Sequence, residues 1–332
     1  MRVALASFAH LHAEAYLPLL QAMPDVEVIG LADHDIERGR HFARYFETPY
    51  FPSYQALVAE KPDGVVVCTE NNLHFEVASL FAESGIHVLC EKPLATTLLD
   101  AQHLVKAAHE GGVYLMTAFP MRFSAPLLEV KQILAGGGLG RVYALNTVNQ
   151  GECPKHLRPW FVDKDLAGGG ALIDHIVHLA DVMRWYLGQE VTEVYAQANA
   201  ILYGNEVDVE TGGLVMLTFA DGTFASIDCS WSKPPYYPTW GGLALTLIGE
   251  KGVITVDAFK QVMTVYRHRL GRPTFTYWGS DANAAMLRDF VEAIHEGRPP
   301  RVTGEDGLKA LEIALAAYRC AASGQPVPLP LA

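Results

Sequence analysis

No stretch of this 332-residue chain approaches the roughly 20 consecutive apolar residues that a membrane-spanning helix needs. A helical membrane protein is therefore not expected. Basic residues are in short supply: 25 Lys and Arg stand against 37 Asp and Glu, for a net charge of −12. Such a surface repels phosphate backbones, so no nucleic-acid partner is expected. The five cysteines are odd in number, widely spaced and include no Cys-x-x-Cys pair. Reduced thiols in a cytoplasmic setting are the expectation, rather than a disulfide framework. The start, Met1 through Ala6, lacks the long apolar segment and cleavage site of a secretory leader. Internal repeats and low-complexity linkers are also missing. What remains is an ordinary globular composition, 50% hydrophobic and 19% charged, long enough for two domains with sizeable cores.

Up to about residue 120, strand and helix signals alternate. Short apolar runs at 3–6, 26–32, 65–69, 86–90 and 113–118 read as strands. Helical spacing fills 12–22, 36–45, 74–84 and 97–110, with Pro18 expected to kink the first helix or mark its first turn. This alternation predicts a parallel sheet covered on both faces. Right-handed crossovers then make residues 1–120 a doubly wound Rossmann domain.

From residue 121 the pattern changes. A helix to about Leu134 is broken by Gly136-Gly137-Gly138, a strand fills 141–149, and a long helix at 170–187 stops at Gly188. Consecutive strand-like runs occupy 191–278, with hairpin-like turns at Asp221-Gly222 and Lys251-Gly252. Helices at 281–296 and 305–323 finish the chain. Residues 121–332 are expected to form a C-terminal α+β domain with a large, mainly antiparallel open sheet.

The first strand of a Rossmann domain normally leads into a glycine-rich turn that offers helix-terminal N–H groups to a pyrophosphate. Here the segment is Ser7-Phe8-Ala9-His10-Leu11-His12, without a glycine. Backbone groups of Ser7, Phe8, Ala9 and His10, with the Ser7 hydroxyl, can serve a phosphate; a loop that binds nothing fits the same residues. Asp33 ends the second strand, where an acid accepts hydrogen bonds from the adenosine ribose diol. Its charge favours NAD, while His34 and Arg38 keep NADP open. Helix capping is the alternative for Asp33. Thr69, Asn71 and Asn72 follow a strand and face the ribose or nicotinamide, or Asn72 caps the next helix.

Two motifs carry chemistry. Glu91-Lys92-Pro93 follows the apolar run at 86–90, and Gly168-Gly169-Gly170 opens a helix that contains Asp174, His175, His178 and Asp181. Lysine, aspartate and histidine together can move a proton and stabilise an alkoxide. Asp174 and His178 are four apart and share one helix face. The triple glycine allows close approach of the backbone to substrate or cofactor. The plainer readings are a surface lysine, a helix-start carboxylate and a satisfied core histidine.

These marks resemble the Gfo/Idh/MocA oxidoreductases, the family of glucose–fructose oxidoreductase and inositol dehydrogenase. The resemblance spans nearly the whole chain. It rests on Leu31-Ala32-Asp33, Thr69 through His74, Glu91-Lys92-Pro93, Met121-Arg122-Phe123 and Gly168 through Asp181. Phe290 through Ile294 and Gly297-Arg298-Pro299-Pro300 add to it. The chain departs from the family at the glycine turn and at Glu70, where proline is common.

The resemblance implies a nicotinamide cofactor, sugar-, cyclitol- or polyol-like substrates, and dimers or tetramers built through the open C-terminal sheet. It implies a catalytic group of Lys92, Asp174 and His178. The expected cofactor contacts are Ser7, Phe8, Ala9, His10, Asp33, Thr69, Asn71, Asn72, His74, Glu91, Lys92 and Arg122. Arg122 has a domain bridge as its alternative. His156, Arg158, Trp160 and His175 are the expected substrate contacts, with core packing the alternative for Trp160. Tyr236, Tyr237 and Trp240 are assigned to a pocket wall or a subunit contact. A metal on Asp174, His175 and His178 with Cys153 or His156 is not expected, because residues i and i+1 diverge on a helix.

The resulting expectation is an NAD(P)-dependent oxidoreductase. The alternatives are a reductase of another C=O or C=N bond and a non-catalytic NAD-sensing regulator.

Overall fold

In the computed structural model, residues 1–266, 273–277 and 279–331 are described. The parts of the strand-like run at 191–278 that fall on 267–272 and 278 lie outside the described residues.

The first half builds six strands and five helices. They are β1 (Arg2–Ala6), α1 (Ala13–Gln21), β2 (Glu27–Ala32), α2 (Ile36–Tyr45), β3 (Tyr50–Phe51) and α3 (Tyr54–Ala59). β4 (Gly64–Val67), α4 (His74–Glu83), β5 (His87–Cys90), α5 (Leu98–Glu110) and β6 (Leu115–Thr117) follow. The strands pair in parallel in the order β3-β2-β1-β4-β5-β6. β4 is buried along its whole length, so it has no polar face and reads as an unbroken Val run. From β1 the chain works outward on one side through β2 and β3, then returns to β4 on the other. That reversal opens a crevice at the carboxyl ends of β1 and β4, the standard ligand position in such sheets. Pro18 lies inside α1 rather than in its first turn. β3 and α3 were not expected.

The second half contains α6 (Ala125–Ala135), β7 (Val142–Glu152), α7 (Lys164–Ala167) and α8 (Ala171–Leu187). Next come β8 (Val191–Asn199), β9 (Gly212–Phe219), β10 (Phe224–Lys233), β11 (Leu243–Gly249) and β12 (Gly252–Asp257). β13 (Val262–Tyr266) and β14 (Pro273–Tyr277) form a separate antiparallel pair. α9 (Ala282–Glu296), α10 (Gly304–Ser323) and β15 (Val327–Pro328) close the chain. The large sheet runs β12-β11-β7-β10-β9-β8-β15. It is antiparallel except between β7 and β10, which run parallel.

Period-two alternation gives this sheet two unlike faces. Leu145, Val215, Leu217, Ile227 and Leu245 are buried in the core that α8 shares. Tyr143, Tyr195, Leu214, Met216 and Phe224 are exposed. α10 packs on α8 and β8 on one side and on α5 and β6 on the other, so it joins the two sheets. The close fit needs Gly307, where a Cβ would come within 2.2 Å of the Thr117 hydroxyl. Among the described residues no helix is long and apolar enough to cross a membrane.

Candidate active site

β5 ends at Cys90 and delivers Glu91 and Lys92 into the crevice, with a cis bond between Lys92 and Pro93. Lys92 is 4% exposed, so the surface-lysine reading fails. Its Nζ donates to Asp174 Oδ1 at 2.6 Å. Asp174 Oδ2 lies 3.1 Å from the indole nitrogen of Trp231 and 3.1 Å from Nε2 of His175. Burial would push the Asp174 carboxyl up, but the Lys92 ammonium and His175 hold it well below the usual range. The result is a carboxylate fixed on three sides by donors.

One turn along α8, His178 meets Phe119 edge-on at 5.9 Å, and its Nδ1 has no partner. Burial and the nearby Lys92 charge drive its pKa well below 6.5, so the ring is neutral near pH 7. Lys92, Asp174, His175 and His178 line one cavity of about 600 Å³, together with His12, Asn149 and Trp240. That volume suits a small ligand. Asp174 and His175 are adjacent in sequence yet touch, so the expected divergence does not keep them apart.

The start of α8 is held from outside. Glu210 Oε1 accepts the N–H groups of Gly170 and Leu172, each at 2.9 Å, and the Tyr318 hydroxyl at 2.6 Å. The same hydroxyl accepts the Ile173 N–H at 3.3 Å. These contacts satisfy first-turn donors that would otherwise be orphaned. A Cβ on Gly169 would sit 2.0 Å from the Tyr318 hydroxyl, and one on Gly170 2.0 Å from the Glu210 carbonyl. The triple glycine was expected to admit a ligand. The close approach it permits is to Tyr318 and Glu210.

The turn after β1 solves the missing glycine differently. Ser7 itself takes a left-handed conformation, φ +73°. Its hydroxyl donates to Asp33 Oδ2 at 3.1 Å and accepts the Ala9 N–H at 3.1 Å. Asp33 Oδ2 also accepts the Phe8 N–H at 2.8 Å. Arg38 lays its guanidinium across Asp33, at 2.9 Å and 2.8 Å. Asp33 is therefore where expected, but its oxygens are filled by protein donors; it fixes the turn, and Arg38 covers it. Phe8 sends its ring into the core against Phe42 at 4.5 Å, leaving only its backbone toward the crevice.

The crevice still carries unspent polar atoms. Thr69 Oγ1, Asn71 Oδ1 and His10 Nε2 are buried without partners, as are His175 Nδ1 and Trp240 Nε1 in the cavity. Buried polar groups are normally paired, so atoms clustered this way point to an absent polar ligand. Their position at the strand ends fits a dinucleotide.

Other expected contacts fall elsewhere. The fully buried His74 ring lies between two carbonyls, Nδ1 2.7 Å from that of Pro93 and Nε2 3.3 Å from that of Thr69, so the ring is a strut. Arg122 spends its guanidinium on Asp181 and Asp306; all three lie within 121–332, so these contacts make neither a cofactor contact nor a bridge to the first domain. Asn72 is exposed on a short 3-10 turn, and α4 has no side-chain cap. Arg158 and Trp160 both donate to the Ala9 carbonyl, at 3.1 Å and 3.0 Å, so they brace the turn after β1 instead of lining the cavity. His156 is exposed and outside the cavity, and Cys153 belongs to a cluster under Trp231. Trp240 lines the cavity, whereas Tyr236 is exposed.

Sequence reasoning missed Trp231, Glu210, Tyr318 and the contact between His12 and Glu91. Only the last had a signal, a His-x-His pair in a turn that should hold glycines.

A doubly wound parallel sheet whose reversal point opens on a buried ammonium, carboxylate and imidazole is the frame of a nicotinamide-dependent oxidoreductase. Residues 2–119 match the oxidoreductase family with an NAD-binding Rossmann fold, and residues 127–255 match the GFO/IDH/MocA C-terminal domain. The chain is 33% identical over 306 residues to 1,5-anhydro-D-fructose reductase of Ensifer adhaerens, covering 90% of each chain. It is 27% identical over 328 residues to myo-inositol 2-dehydrogenase of Thermotoga maritima, covering 96% of this chain and 94% of that one. The crystal structure of GenD2 from gentamicin A biosynthesis, in complex with NAD, has a TM-score of 0.89 at 27% identity. That likeness covers 100% of this chain and 97% of GenD2. The chain belongs to the Gfo/Idh/MocA family, and it is an NAD-binding oxidoreductase.

Proposed function

We propose that this enzyme interconverts a secondary alcohol and a ketone on a sugar, cyclitol or similar polyol, with Lys92, Asp174 and His178 as its catalytic group. The observation that carries this reading is the buried 2.6 Å contact between Lys92 Nζ and Asp174 Oδ1 in the cavity wall, with His178 one turn away. Bound NAD supplies the hydride acceptor or donor. Lys92 donates to the reacting oxygen and stabilises the negative charge that develops there. Asp174 aims the ammonium through its fixed carboxylate. The neutral His178 ring accepts a hydrogen bond from the substrate hydroxyl. Asn149 and His175 offer further polar contacts to a polyhydroxylated ligand.

The unpaired Thr69 and Asn71 atoms support a cofactor lying along the ends of β1 and β4; the N–H groups of Ser7, Phe8, Ala9 and His10, expected to serve a phosphate, are each taken by a protein acceptor. The separate sheets support a division into a Rossmann domain at 1–120 and a substrate domain at 121–332. The exposed row Tyr143, Tyr195, Leu214, Met216 and Phe224 supports a homodimer or homotetramer built through the large sheet. Five buried, free cysteines suit the reducing cytoplasm.

The test compares wild type with Lys92→Met on a panel that includes myo-inositol and 1,5-anhydro-D-fructose, in both directions, by NADH absorbance. NADH binding should persist, and turnover should fall by about 10²-fold or more. Wild-type turnover in the variant refutes the assignment.

A further inference from the structure

We propose that Lys233 is a positioning residue for the substrate: its buried ammonium holds the loop at 234–242, and through that loop Trp240, whose indole N–H takes a substrate hydroxyl. This inference rests on the polyol reading above. Lys233 is the last residue of β10 and pairs with Glu152, the last of β7. The two strands end side by side, and the chain then loops through 234–242 before β11 begins at Leu243.

Lys233 is buried. An ammonium taken out of water costs free energy unless its hydrogens find acceptors. Here the loop supplies them. Nζ donates to the Gly241 carbonyl at 2.7 Å and to the Thr239 hydroxyl at 3.2 Å, and it lies 4.1 Å from the centre of the Tyr237 ring. A Cβ on Gly242 would come within 2.4 Å of Nζ, so the loop closes this tightly on the ammonium only with glycine there. Residues 237, 239, 241 and 242 are thus wound around one cation.

Trp240 sits inside that winding. Its carbonyl accepts the Glu152 N–H at 3.0 Å, which ties the loop to the end of β7 as well. The place a Cβ on Gly151 would take is 3.4 Å from the Trp240 carbonyl and 3.3 Å from Nε2 of His175. The loop therefore lies against the His175 ring, which itself contacts Asp174 Oδ2. Thr239, Trp240, Gly241 and Gly242 line the cavity together with Lys92, Asp174 and His178. Nε1 of Trp240 is buried and has no protein partner. An indole nitrogen only donates, so the group that fits it is an acceptor. A hydroxyl oxygen of a polyol is one, and the ring offers an apolar face to the C–H groups beside it. A contact made alike in the ground state and the transition state appears in KM rather than in kcat. Lys233 and Lys92 thus divide the work: one sets the grip on the substrate, the other serves the reacting oxygen.

The experiment compares the full chain with Lys233→Met, Trp240→Phe and the double variant, using NAD with myo-inositol and NADH with 1,5-anhydro-D-fructose. Lys233→Met should raise KM about tenfold and change kcat by less than about threefold. Trp240→Phe should do the same, and the double variant should show no more than the larger single effect, because both changes remove one contact. A fall in kcat at unchanged KM, or effects that multiply in the double variant, overturns the proposal. A second arm needs no substrate: ¹⁹F spectra of the chain labelled with 5-fluorotryptophan, with Trp240 assigned from Trp240→Phe. Lys233→Met should move the Trp240 resonance and leave that of Trp231 in place. An unmoved Trp240 resonance overturns the positioning role. Should Lys233→Met fail to fold, Thr239→Val removes one acceptor at nearly constant shape; it should raise KM about threefold and move the same resonance, and no change in either overturns the proposal. Failure of both compounds to turn over would strike the proposed reaction, while the fluorine spectrum would still decide the role of Lys233.

Discussion

Trp231 donates its indole N–H to Asp174 Oδ2 at 3.1 Å while Lys92 takes Oδ1 at 2.6 Å. The tryptophan comes from near the C-terminal end of β10 and is fully buried. Its nitrogen sets the plane of the carboxylate that aims the lysine. Trp231→Phe keeps most of the apolar volume and deletes one hydrogen bond to a charged group, worth about 1.5–3 kcal/mol. Turnover should fall roughly tenfold or more, with NADH affinity nearly unchanged. Steady-state kinetics and a fluorescence titration separate the two.

Acid stability follows from Asp174 and Glu91. Burial alone would raise both carboxyls, but Lys92 and His175 hold Asp174 down, and His10 and His12 hold Glu91 down. A depressed folded-state pKa means that the unfolded chain takes up the proton first as pH falls. The contribution is complete above about pH 5 and drains away as pH drops through the ordinary carboxylate range of about 4 and below. The gap in Tm between wild type and Asp174→Asn should be constant from about pH 5 to 7 and narrow below about pH 4.

Ser7 does two things at once: it holds a left-handed backbone and gives its hydroxyl to Asp33 and the Ala9 N–H. Ser7→Ala keeps the strain and loses the hydroxyl, so it should cost about 1–3 kcal/mol. Ser7→Gly relieves the backbone and should recover part of that loss. Thermal melts that rank alanine above glycine would contradict this account.

Arg38 is the guanidinium nearest Asp33, and it also reaches Glu70 at 3.1 Å. The two carboxylates and the guanidinium between them sit at the end of β2, where an adenosine ribose is read in such folds. Removal of Arg38 uncovers the Asp33 carboxylate, which accepts a ribose diol and repels a 2′-phosphate. Arg38→Ala should shift the ratio of NADH to NADPH affinity toward NADH by about tenfold, the worth of one charge-assisted contact. Parallel fluorescence titrations with the two nucleotides give the ratio directly.

The strand–helix alternation before residue 120 was legible because each buried parallel strand is an apolar run with no polar face. Tyr50–Phe51 and Tyr54–Ala59 escaped because two and six residues are too short to show a period. The parallel pairing of β7 with β10 joins strands about eighty residues apart, and nothing local specifies it. The lysine, aspartate and histidine were readable as motifs, since their spacing on one helix and after one strand is local. Their supports were not: Trp231 meets Asp174 across 57 positions, and His12 meets Glu91 across 79. The departures share one cause. Arg158, Trp160, Arg122 and the triple glycine carry residue types that suit ligands, but each is consumed by another part of the chain.

The seating of α10 has a consequence for truncated chains. Tyr318 reaches back to the first turn of α8, and Gly307 rests against Thr117 of the opposite sheet. Lys92, Asp174 and His178 all precede the helix whose contacts set the start of α8. The angle of the centre therefore depends on α10, and a chain cut before Tyr318 loses both the hydroxyl that holds the first turn of α8 and the β15 edge of the large sheet.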